Sequence, residues 1–147
     1  GRPTTLSPST CTVLDSGEVA AQFPPQDGDM SKFETGVGAK LEANRMWVTS
    51  GELAESSSYI FYKTQQNLVG GFVTEFDVSF TNLARSEGIA FVIQRSPNGI
   101  KNVPPSLESG LGFASIPNSI AIVFDMCTNR IGYAECGEVS TYIAYNP

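Results

Sequence analysis

The sequence predicts an all-β domain, a sandwich or a barrel, on three observations. From Gly71 to Phe80 the residues Phe72, Thr74, Phe76, Val78 and Phe80 alternate with Val73, Glu75, Asp77 and Ser79, the period-2 pattern of a strand with one aromatic and one polar face. Gly88 to Gln94 (GIAFVIQ) is continuously apolar, too short for a helix and bounded by Ser86-Glu87 and Ser96-Pro97-Asn98-Gly99; such a run reads as a strand buried on both faces. Turn signals recur at Gly51, Gly70-Gly71, Pro97 to Gly99, Pro104-Pro105, Gly110 to Gly112 and Pro117-Asn118, and no window carries a sustained i, i+3, i+4, i+7 stripe.

The elements follow in chain order. Residues 1–22 read as an extended leader whose Pro3 to Thr12 stretch is rich in Thr, Ser and Pro, and residues 23–147 as the folded part. Lys40 to Thr49 and Ser58 to Thr64 are the weaker strands, the second holding Tyr59 and Phe61 against Ile60 and Tyr62. The strand at 71–80 comes next, and the run at 88–94 is placed centrally in a sheet. The long connection Ser96 to Asn118 marks one end as a working surface. Ile120, Ile122 and Phe124 then alternate with Ala121, Val123 and Asp125, and Val139, Thr141, Ile143 and Tyr145 with Ser140, Tyr142 and Ala144. Phe72, Phe76, Val78, Phe80, Ile89, Phe91, Ile93, Ile120, Ile122 and Phe124 are expected to share one core between two sheets.

Composition narrows the function. The 147 residues carry 41% hydrophobic side chains and a net charge of −6, enough apolar mass for a core and no basic run to meet nucleic acid or an anionic membrane. No stretch approaches the ~20 apolar residues of a membrane span. Histidine is absent, which removes Ser-His-Asp and Cys-His catalysis and any His-ligated zinc site. The cysteines are Cys11, Cys127 and Cys136. The last two flank the short polar segment 128–135, which a disulfide can close; that clip implies an oxidising, extracellular setting. Free thiols are the alternative, and Cys11 is left odd. No Asn-x-Ser/Thr sequon occurs, so glycosylation adds nothing to the case for secretion.

Three segments together resemble the legume-lectin-like (L-type lectin) family: SSSYIFYKTQQNLVGGFVTEFDVSFTNL at 56–83, SEGIAFVIQ at 86–94 and ESGLGFASIPNSIAIVFD at 108–125. Their order and spacing are similar to the family's Tyr-Lys strand, Gly-Phe strand of alternating aromatics, acidic-Gly-x-Ala-Phe-Val-Ile strand, Gly-Leu-Gly loop and Phe-Asp strand. The resemblance covers roughly Phe33 to Tyr145 and implies that residues 23–147 are the N-terminal portion of such a domain. It implies a jelly-roll sandwich of two large antiparallel sheets that binds sugar on loops at one end, often above a calcium-organised platform.

Carried residue by residue, the resemblance gives Glu87 the place of a family aspartate that accepts hydrogen bonds from sugar hydroxyls. The longer side chain moves the carboxylate outward, and a solvated turn carboxylate is the competing reading. Gly110 and Gly112 would let the backbone approach a ligand and donate N–H groups to it, or would only make tight turns; Phe113 would stack on a sugar face. The family's Glu-Phe-Asp is here Val123-Phe124-Asp125, so one carboxylate is missing and, with no histidine, so is the transition-metal site. Asp125 and Asn129, with Glu135 and Glu138 nearby, leave room for calcium alone, while a Cys127–Cys136 clip could organise the loop instead, worth about 2–3 kcal/mol.

Glu75-Phe76-Asp77 resembles the start of the Glu-x-Asp-x-x-Glu signature of glucanases of this fold, but Phe80 stands at the third acidic position. A retaining glycosidase needs both its carboxylates, so the expectation is a non-catalytic, secreted module that binds glycans. The alternative is a structural or adhesive block that keeps the sandwich and has lost sugar and metal binding. Because such sandwiches commonly need ~200–250 residues, the resemblance also implies that further protein, a continuation or a neighbouring chain in a homo-oligomer or polymer, completes the domain.

Overall fold

A computed structural model describes residues 25, 28–42, 45–49, 57–81, 87–100, 111–127 and 136–147. Gly110, Asn129, Glu135, Cys11 and the leader 1–22 lie outside the described residues, as do the side chains of Cys127, Cys136 and Glu138. Among the described residues the architecture is strands in small antiparallel sheets with a single short 3-10 turn. The all-β class stands on this arrangement.

The turn, Met30–Lys32, opens at Asp29, whose Oδ1 accepts from the Ser31 amide at 2.9 Å. The Ser31 hydroxyl and then its amide hold the Asp29 carboxyl below the usual aspartate range. From there the chain enters β1 (Phe33–Thr35), which pairs with β4 (Ile60–Tyr62), setting Phe33 opposite Tyr62 with ring centroids 5.5 Å apart. Cross-strand aromatic pairs of this kind fix register in short strands. β2 (Lys40–Glu42) and β3 (Arg45–Trp47) form a second small antiparallel sheet, Lys40 facing Trp47. The weaker strand at 40–49 is thus split into two.

The main sheet is β5 (Gly88–Gln94), β6 (Ser119–Cys127) and β7 (Cys136–Asn146), in that spatial order. Seven consecutive rungs join β5 to β6, from Gly88↔Asp125 to Gln94↔Ser119, and β6 pairs with β7 from Ser119↔Asn146 to Asp125↔Ser140 and again at Cys127↔Cys136, beyond a register shift. The run 88–94 is therefore the strand expected, but its place is corrected: β6 is central in the described sheet and β5 lies beside it.

The core occupies one face of this sheet. Ala121 and Val123 are buried with Phe113 and Ile116, and Phe61, Ala90, Val92, Leu111 and Ala144 pack around them. Ile116 closes its turn by donating to the Phe113 carbonyl at 2.8 Å, Ser119 Oγ donates to the Ile116 carbonyl at 2.7 Å, and Asn146 Nδ2 donates to the Ala114 and Ile116 carbonyls at 2.8 and 2.9 Å. Those bonds strap the 113–116 turn across the face of small residues, which is why that face is buried.

The opposite face corrects the expected shared core. Phe76 lies over it, stacked on Phe91 at 5.7 Å and edge-on to Phe124 at 5.9 Å. Yet Phe76 stays 47% exposed, and Phe72, Val78, Ile120 and Ile122 are exposed with it. Residues 72–80 belong to none of the described sheets. Alternation specifies that a segment has an apolar face to dock; it does not supply the strand that would take its hydrogen bonds.

Candidate functional site

The sheet end that carries Gly88 and Asp125 gathers the acidic candidates. Glu87 precedes β5, is exposed, and its carbonyl accepts from the Met126 amide at 2.8 Å. This bond extends the β5–β6 ladder by one step and fixes the Glu87 backbone. Gly88 has φ 145°, and a Cβ built there would overlap the Phe124 carbonyl oxygen. The strand start tolerates only glycine at that spot, because the two backbones approach too closely for a side chain. Asp125, the cross-strand partner of Gly88, is 7% exposed. Glu87 and Asp125 thus lie at one end of one sheet.

The Gly-Leu-Gly loop contributes differently. Leu111 has φ 40° and Gly112 φ 77°, a left-handed pair that turns the chain sharply, and a Cβ at Gly112 would sit 3.6 Å from Ser57 Oγ. Phe113 is 8% exposed and belongs to the core cluster. Its ring supports the loop from below by packing on Ala121 and Val123, which leaves little of it to stack on a ligand.

Of the residues that the sequence offers to calcium, Asn129, Glu135 and the Glu138 side chain lie outside the described residues. The ion takes six to eight oxygens, and among the described residues no group of three or more His, Cys, Asp or Glu lies together. Asp125 is the one described member of the set.

An open groove runs on the other face of the sheet, lined by Thr74, Glu75, Asp77, Phe80, Phe124 and Val139. The alternation at 71–80 predicts that Glu75 and Asp77 share an outer polar strand face; both line the groove instead. Nothing in the residue pattern foretold this, since the groove exists only because 72–80 lies over the sheet without entering it. Among the described residues no helix is long and apolar enough to cross a membrane. Comparison with protein-family models, curated proteins and solved structures finds no match for this chain.

Proposed function

We propose that this chain is a legume-lectin-like module that binds glycans outside the cell and does no catalysis. The observation that carries the reading is the acidic-Gly strand start: Glu87 is exposed, its backbone is tied to Met126, and the next residue has to be glycine. A carboxylate on a strand start whose backbone is fixed offers two acceptor oxygens to neighbouring sugar hydroxyls, and only its side-chain rotamers remain to be ordered on binding. Gly112, in the loop that resembles the family's Gly-Leu-Gly, provides the second contact through its backbone, and Phe113 serves as its support. The absence of histidine and Phe80 in the third acidic position favour binding over hydrolysis.

A glycan array, read with and without a chelator, tests the reading directly. Binding should appear in both conditions, and Glu87→Ala should weaken it about 10–100-fold, the cost of a hydrogen bond to a charged group, with the circular dichroism spectrum unchanged. An array on which wild type and Glu87→Ala give the same signal would remove Glu87 from any site.

One observation favours a second reading, a structural block that assembles through its sheet: Ile120, Ile122, Ile143 and Tyr145 are all exposed on one face. Under that reading the array stays blank and sedimentation shows species larger than one chain.

A further inference from the structure

We propose that Cys127 and Cys136 form a cross-strand disulfide that locks the Glu87 end of the main sheet, on the juxtaposition that the β6–β7 register sets them directly opposite one another. The spacing of two cysteines around residues 128–135 shows only that they are near in sequence. The register adds that they form a rung. Residues directly opposite on antiparallel strands have Cα atoms about 4.5–5.5 Å apart whichever kind of pair they make, and a disulfide spans about 4.4–6.8 Å between Cα atoms. Either kind of rung therefore falls within reach without moving the backbone.

The place of this rung gives the bond a purpose. The β6–β7 ladder is regular up to Asp125↔Ser140 and shifts register before Cys127↔Cys136. That irregularity makes the rung beyond it the weak point of the hairpin, since Met126 alone on β6 spans residues 137–139 on β7 and the ladder is interrupted there. The same end holds Asp125 against Gly88 and Met126 against Glu87. A covalent rung just past the irregularity fixes β6 where the Glu87 backbone is anchored, independently of whether Glu87 meets a sugar.

The reaction is thiol–disulfide exchange with a low-molecular-weight disulfide. One cysteine thiolate attacks its S–S bond and expels a small thiol; the second attacks the resulting mixed disulfide and expels the other. The protein loses two hydrogens and gains one S–S bond, while the small disulfide is reduced to two thiols.

The sequence supplies a clean test. Trypsin cuts after Lys101 and Arg130, so Cys127 lies in 102–130 and Cys136 in 131–147; Arg2 is followed by Pro3, so Cys11 stays in 1–32. The whole chain is equilibrated with oxidised and reduced glutathione, its free thiols are alkylated, and it is digested and mapped by mass. Peptides 102–130 and 131–147 should run as one species that separates on reduction, with Cys11 alkylated. The thermal midpoint should fall by about 5–10 °C on reduction, equally in Cys11→Ser. Alkylation of both Cys127 and Cys136 in oxidised protein overturns the proposal, as does a link from 1–32 to either peptide. A midpoint that ignores reduction overturns the locking role.

Discussion

At Gly88 the backbone combines φ 145° with a neighbour, the Phe124 carbonyl oxygen, that occupies the space a side chain would need. Gly99 has φ 70° but open space around it, so the two glycines separate backbone strain from steric overlap. Gly99→Ala should cost about 1–2 kcal/mol, the ordinary penalty of a left-handed alanine. Gly88→Ala adds overlap with a backbone atom that cannot swing away and should cost about 2–5 kcal/mol. Urea denaturation of the two variants checks this, and equal costs would mean that β5 and β6 do not approach as closely as described. The acidic-Gly pair was legible in the sequence as a motif. That its glycine is demanded by a cross-strand carbonyl was not, because that atom belongs to a residue far along the chain.

The β6–β7 hairpin raises the question of which face is the core. Along β6 the sequence alternates Ile120, Ile122 and Phe124 with Ala121, Val123 and Asp125, and side-chain size alone favours burying the first set. The structure buries the second: Val123 is 0% exposed, whereas Ile143, across from Ile122, is 72% exposed. Val123→Ala should therefore cost roughly 2–3 kcal/mol, lost transfer energy plus a cavity. Ile143→Ala should change stability by less than about 0.5 kcal/mol. The reverse order in a denaturant titration would show that the aromatic face is the true core and that the 113–116 turn covers little.

Across the whole molecule, the outer face of the main sheet is a contiguous apolar surface containing Ile120, Ile122, Ile143 and Tyr145. Soluble monomers rarely expose such surfaces, which usually mark contact sites. Concentrated protein should therefore self-associate and bind a fluorescent apolar dye such as anilinonaphthalene sulfonate. Ile122→Lys combined with Ile143→Glu places opposite charges on facing residues, a tolerated cross-strand pair, and should lower both signals severalfold while the fold persists. A wild-type chain that sediments as a monomer and leaves the dye dark would contradict this expectation.

The three strands of the main sheet were readable from local pattern: the run at 88–94 matches β5, 120–125 lies within Ser119–Cys127, and 139–145 within Cys136–Asn146; the alternation at 71–80 did not yield a strand. Period and turn residues act over a few positions, so a linear reading suffices for them. The position of Glu87 at the start of β5 was legible for the same reason. Three things came only with the tertiary structure: the order β5-β6-β7, the choice of Ala121 and Val123 as the buried face, and the docking of Phe76 on Phe91 and Phe124 without strand pairing. Each depends on contacts between segments distant in sequence. Alternation records that a strand has two unlike faces, but which of them goes inward is decided by what the rest of the chain lays against it, here a turn strapped down by Ser119 and Asn146.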